Sequence, residues 1–113
     1  MCSPLALNEI TEKITRAAKD TLGVKLDKVI LYGSYARGDY DIESDIDIMV
    51  LADIPHESCW SEYIKISELI WMLDLEYNVL VSVSVTDSAT FNKYADILPF
   101  YQNVQEEGVV LVA

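Results

Sequence analysis

The chain is poor in the residues that most metal and nucleic-acid chemistries require. Among its 113 residues there is one histidine, His56, and there are two cysteines, Cys2 and Cys59. A single imidazole excludes histidine-pair metal sites. Two thiols without further sulfur or histidine partners build neither a disulfide framework nor a zinc site, so both cysteines are expected as free thiols. Cations are also scarce: 8 Lys and Arg stand against 19 Asp and Glu, a formal net charge of −11. Such a surface repels nucleic-acid phosphates, which clustered cations bind, and direct handling of DNA or RNA is not expected. It permits a Mg²⁺-bound nucleotide, a protein partner, or both.

No apolar run approaches the ~20 residues of a membrane helix, and the N-terminus lacks the basic-then-apolar pattern of a secretory signal. No membrane association is expected, and the expected compartment is cytoplasmic. Linkers, internal repeats and low-complexity segments are missing too. The length and the 51% hydrophobic content fit a single globular domain over residues 1–113 with one core.

Apolar periodicity predicts an amphipathic helix over 4–22, with Leu7, Ile10, Ile14, Ala17, Ala18 and Leu22 on its inner face. Ser3 is its expected cap, Pro4 its first residue and Gly23 its stop. Glu9 with Lys13, and Glu12 with Arg16, are expected (i, i+4) pairs. Residues 25–32, ending Val29-Ile30-Leu31-Tyr32, read as a buried strand, and 45–51 as a second. A second helix is expected over 55–77, with Ser58 as candidate cap and Tyr63, Ile66, Ile70 and Leu73 as its stripe. Trp60, Leu69 and Trp71 flank that stripe as core or as a partner patch. Val79, Val81, Val83 and Val85 alternate with Leu80, Ser82, Ser84 and Thr86 in a third strand over 79–86. A short helix capped by Asp87 or Ser88 follows, then one from Pro99 to Glu107 stopped by Gly108. The tail Val109–Val112 packs or adds an edge strand. The order predicts an α/β (α+β) fold, a small mixed sheet flanked by helices.

Chemistry concentrates between Leu31 and Val50. On a strand, Asp45 and Asp47 project from one face and Ile46, Ile48 and Val50 from the other. The two acids sit roughly 6.6 Å apart at Cα, two strand rises, which lets both reach one cation. Mg²⁺ takes one or two carboxylates plus substrate phosphates, and a two-metal site clamps attacking and leaving oxygens. A solvated acidic strand face is the plainer reading, but only this acid pair alternates with isoleucines. On the phosphate side, Gly33 permits close backbone approach. Ser34 offers a hydroxyl and an N–H at a turn that favours an anion if helical. Arg37 is the one cationic side chain between Lys28 and Lys65. Gly33 to Gly38 mimics P-loop spacing, but Asp39 and Tyr40 follow where Lys and Ser or Thr are needed. A calcium loop from Asp39 fails because Ser44 and Val50 stand where Gly and Glu are required.

Gly33-Ser34-Tyr35-Ala36-Arg37-Gly38, followed by Ser44-Asp45-Ile46-Asp47-Ile48, resembles the signature of the polymerase-β-like nucleotidyltransferases. The small size resembles their minimal nucleotidyltransferase (MNT) branch, including the MntA-type antitoxins. The likeness is firm from about Val29 to Leu51 and extends to the tail, Tyr101 to Leu111. It implies the nucleotidyltransferase fold and transfer of a nucleoside monophosphate, AMP from ATP, to a hydroxyl of a partner protein. It further implies Mg²⁺ held by Asp45 and Asp47, which are the catalytic residues, and nucleotide bound by Gly33, Ser34, Arg37 and Ser44. The implied partner is a HEPN-type toxin. The family's third carboxylate comes from the following strand, which here carries Ser82 and Ser84. A nucleotide-binding antitoxin that neutralises its partner by complex formation, with weak or no catalysis, is therefore the alternative reading. Size and charge disfavour a nucleic-acid polymerase.

Overall fold

The computed structural model describes residues 3–41 and 43–112; the Cys2 thiol lies outside them. The fold is built around one strand, β2 (Ile46–Ala52), which is apolar on both faces: Ile46, Ile48, Met49, Val50, Leu51 and Ala52 are all buried. A strand with two apolar faces must be covered on both. Toward one face, Ile46, Ile48, Val50 and Ala52 join a core with Val29 and Leu31 and with two long helices. These are α1 (Pro4–Leu22), through Ile10, Ile14 and Ala18, and α3 (Cys59–Tyr77), through Ile66, Ile70 and Leu73. Toward the other, Met49 and Leu51 pack with Ile30 against Phe91 and Val104. Those two side chains come from α4 (Ser88–Tyr94) and α5 (Pro99–Glu107).

The sheet runs β3-β2-β1-β4. Strand β1 (Leu26–Tyr32) pairs antiparallel with β2 from Leu26↔Ala52 to Tyr32↔Asp47. Strand β3 (Val81–Asp87) pairs parallel with β2 from Ile46↔Val81 to Ala52↔Asp87. The parallel pair needs a long crossover, which α3 supplies. The apolar tail becomes an antiparallel edge strand, β4 (Val109–Val112), on β1. Gly108 is required where α5 turns into it, because a Cβ there would collide with Ile30 and with the Val104 carbonyl. The mixed sheet flanked by helices is as the patterning predicts.

Ser3 caps α1 as expected, accepting the Ala6 N–H at 3.1 Å. Glu12 pairs with Arg16 at 3.6 Å, but Glu9 and Lys13 do not pair with each other. Glu9 accepts the Tyr77 hydroxyl and Lys13 meets Glu76, both on α3, so tertiary partners replace the local one. Ser58 does not cap α3. A tight 3₁₀ turn, His56–Ser58, leads into the helix, so the backbone at Ser58 is already helical and its side chain accepts no capping N–H. A short helix, α2 (Ser34–Arg37), occupies the start of the segment between the first two strands. Element boundaries shift by a few residues: β1 begins at Leu26, β2 covers 46–52 rather than 45–51, so Asp45 precedes it, β3 covers 81–87 rather than 79–86, and α3 begins at Cys59 rather than at 55. The aromatic flank of α3 is not core, since Trp60 and Trp71 are 69% and 68% exposed. Among the described residues no helix is long and apolar enough to cross a membrane.

Ile48 is fully buried at the centre of the larger core. Ile48→Ala is expected to lower the unfolding free energy by about 2–5 kcal/mol. Trp71→Ala, at the solvent face, shifts it by less than about 0.5 kcal/mol. Urea denaturation of the two variants reads the difference.

Candidate active site

The site lies at the mouth of the sheet where β1 ends and β2 begins. Tyr32 and Asp47 are the terminal register pair, and Gly33 follows directly. Gly33 takes a positive φ of 74°, which favours glycine over any L residue. A Cβ on it would collide with the Asp47 carboxylate. The turn and the acid are therefore in direct contact. The first turn of α2 is closed by the Ala36 and Arg37 N–H groups on the Gly33 carbonyl, and Gly38, at φ 86°, ends it. The turn is anchored by Tyr35, buried in the larger core and stacked on Tyr40 at 4.3 Å. Ser34, with its hydroxyl, opens this turn directly after Gly33.

Asp47 projects on the side opposite Ile46 and Ile48. Its carboxyl is raised above the usual value, first by burial, then by the charge of Asp45, with Arg37 opposing. Asp45, just before the strand, lines two depressions. One, of about 180 Å³, includes Tyr35, Glu43, Ser44, Asn78 and Leu80. The other, of about 280 Å³, includes Asp74 and Ser82. Gly33 and Arg37 line a third, of about 150 Å³, with Tyr32, Phe100 and Glu107. Gly33 thus touches Asp47 and shares a depression with Arg37, while the charges of Arg37 and Asp45 both act on Asp47. The Arg37 guanidinium is shared between Asp39 at 3.1 Å and Glu107 at 3.3 Å, which raise its pKa. The Ser44 hydroxyl accepts the Asp41 N–H at 2.9 Å and donates to Asp41 Oδ1 at 3.3 Å. It lines the Asp45 depression from within that closed turn.

Asp47 pairs with Ser82 and Met49 with Ser84 across the parallel ladder. The serines therefore share the Asp47 face, and no carboxylate from β3 stands beside it. Asp87, the acid at the end of β3, is opposite Ala52, five residues further along the strand and roughly 16 Å away. Burial pushes its carboxyl up, but hydrogen bonds from Thr90 and His56 outweigh that and hold it at about 2. Asp74 lies nearer, yet its Oδ1 accepts the Val81 N–H at 2.9 Å.

Two neighbours escape sequence reasoning. Tyr32, half-buried, has its hydroxyl pKa raised by burial and by the Asp47 charge, with Ser84 opposing. Its place immediately before Gly33 was the available signal. Glu107 reaches Arg37 from 70 residues away, and no local pattern marks it.

A glycine turn pressed on a strand carboxylate, with a second acid just before that strand, on a mixed sheet flanked by helices, is the architecture of nucleotidyl-transfer domains. The comparisons agree. The family model for the nucleotidyltransferase domain matches residues 11–111. "Putative protein adenylyltransferase MJ0604" of Methanocaldococcus jannaschii is 37% identical over 100 residues, 88% of this chain and 92% of that protein. A crystal structure of a toxin–antitoxin with AMP-PNP superposes with a TM-score of 0.57 at 28% identity, over 90% of this chain and 72% of that one. A mutant MntA-HpeT toxin–antitoxin gives 0.55 at 26% identity, with the same shares of 90% and 72%. The chain belongs to the nucleotidyltransferase family.

The raised Asp47 carboxyl has a consequence for stability. Between its ordinary and its raised pKa the folded chain holds more protons than the unfolded one, so stability falls as pH rises through that window. Asp47→Asn removes this penalty. The variant is expected to melt higher than the wild type at pH 7 without metal, with the gap closing at acid pH; thermal melts across pH check it. Gly33→Ala, strained at positive φ and pressed on Asp47, is expected to cost more than about 1 kcal/mol.

Proposed function

We propose that this domain transfers AMP from ATP to a hydroxyl of a partner protein in the cytoplasm, the partner being a HEPN-type toxin. The observation that carries the reading is the contact of Gly33 with Asp47, which joins a phosphate-receptive turn to a carboxylate pair. The naming of a relative as a protein adenylyltransferase and the AMP-PNP-containing toxin–antitoxin neighbour support it. So does a stripe on α3, where Trp60, Ile64, Trp71 and Leu75, exposed and spaced 4, 7 and 4 apart, present one apolar face. That stripe gives a partner protein, as carrier of the acceptor hydroxyl, a place to dock.

The donor set fits a hard divalent cation: oxygen ligands only, a burial-raised acid beside a second one, and a glycine cradle that a side chain would fill. Mg²⁺ held by Asp45 and Asp47 would supply neutralisation of phosphate charge. Gly33 and Ser34 hold the β- and γ-phosphates through backbone N–H groups and the hydroxyl. Arg37 adds positive charge beside them. In the transfer, the acceptor oxygen bonds the α-phosphorus, the bond to the bridging oxygen breaks, and pyrophosphate leaves with that electron pair. The acceptor's proton must leave as well, and β3 offers Ser82 and Ser84 there rather than a carboxylate. That register favours a second reading, a nucleotide-binding antitoxin that blocks its partner by complex formation alone.

Incubation with the partner toxin, Mg²⁺ and ATP labelled on the α-phosphate separates the two. Label is expected on the partner, falling at least roughly a hundredfold with Asp45→Asn/Asp47→Asn. A tight complex with no label from wild type contradicts transfer and leaves the binding reading. Ser82→Asp is expected to raise the label if the missing base limits turnover.

A further inference from the structure

A second constellation lies at the other end of β3, away from Asp45 and Asp47. His56 sits in the 3₁₀ turn before α3, Cys59 is the first residue of α3, and Asp87 closes β3. The His56-x-x-Cys59 spacing places both side chains on one side of that turn, over the Asp87 carboxylate. His56 Nδ1 is 2.8 Å from Asp87 Oδ1, and Cys59 Sγ is 3.7 Å from the same oxygen. One ligand atom from each of the three lies within 4.8 Å of the others. Asp87 is nearly inaccessible, 3% exposed, and its second oxygen is fixed by the Thr90 N–H at 2.9 Å.

We propose that His56, Cys59 and Asp87 form a binding site for a borderline-soft divalent cation of the Zn²⁺ or Co²⁺ kind. Ligands on such an ion, at about 2.0–2.3 Å, stand roughly 3.3–3.8 Å from one another in a tetrahedron. The Cys59–Asp87 separation of 3.7 Å already fits, and the His56–Asp87 pair at 2.8 Å must open slightly; the side chain that can move is His56, 79% exposed against 5% for Asp87. One sulfur, one imidazole nitrogen and one carboxylate oxygen select against Mg²⁺ and Ca²⁺, which take oxygen. Three protein ligands leave a fourth position to water. Binding replaces the His56–Asp87 hydrogen bond with two bonds to the metal: the Nδ1 proton is lost to solvent, the neutral ring keeps its proton on Nε2, and the Cys59 thiol proton is released to solvent as well. The bound ion ties the entry of α3 to the start of α4. It lies roughly 16 Å along the ladder from Asp47, since Asp87 pairs with Ala52 and Asp47 with Ser82, so the two sites fill independently.

Titration of chelator-treated, reduced protein with Co²⁺ tests the site directly. Wild type is expected to show thiolate-to-cobalt charge-transfer absorption saturating at one equivalent, displaced by Zn²⁺. The absorption is lost in Cys59→Ser. Affinity falls at least roughly tenfold in His56→Ala and in Asp87→Asn, which keeps a capping oxygen on α4. Cys2→Ser and Asp45→Asn/Asp47→Asn retain both band and stoichiometry. No charge-transfer band at one equivalent overturns the proposal, leaving His56 and Cys59 as hydrogen-bond partners of a helix cap. A band that survives Cys59→Ser, or disappears with Cys2→Ser, overturns it equally.

Discussion

The arrangement rests on the contact between Gly33 and Asp47. Strand β2 is apolar on both faces, so it can only be the interior of a covered sheet, and its one in-strand acid is left at the mouth. β1 runs back beside it and ends at Tyr32, opposite Asp47, so the next residue must pass over the carboxylate. Only a residue without a Cβ can do so at that positive φ. The Gly33 turn and the acid are thereby set by the packing of the core, through Tyr35 on one side and Ile46 and Ile48 on the other.

Electrostatics then determine what the site can accept. Asp45 and Asp47 raise the local negative potential in a chain already strongly acidic, and the nearest cation, Arg37, is held between Asp39 and Glu107. A bare polyphosphate is repelled by such a site. Under the proposed function a polyphosphate carrying a divalent ion would not be, because the ion would satisfy the carboxylates and the phosphates together. Cation and nucleotide should therefore bind with positive coupling, each raising the affinity for the other.

Much of this was legible in the sequence because its strongest signals are local. Period-3.6 patterns marked the long helices, alternation marked β3, β-branched content marked β1, and the Gly-Ser turn followed by Asp-Ile-Asp marked the candidate site. What escaped depends on distant partners. Lys13 and Glu9 found α3 in place of each other, and Ser58 lost its capping role to a preceding tight turn. Glu107 reached Arg37 across the length of the chain. Trp60 and Trp71 were ambiguous because helical periodicity alone does not say which side of an aromatic-rich helix meets the sheet. The His56–Cys59–Asp87 group was invisible for a related reason. Counting thiols and imidazoles leaves out a carboxylate that the parallel ladder delivers from 28 residues downstream of Cys59.

Calorimetric titration of the purified domain with ATP tests the joint site most directly. With Mg²⁺ present, wild type should bind ATP, and both removal of Mg²⁺ by chelation and the Asp47→Asn substitution should abolish the heat. ATP binding of equal strength with and without Mg²⁺, or undiminished in Asp47→Asn, would contradict a site in which the Gly33 turn and the carboxylate pair act on one metal-bound nucleotide.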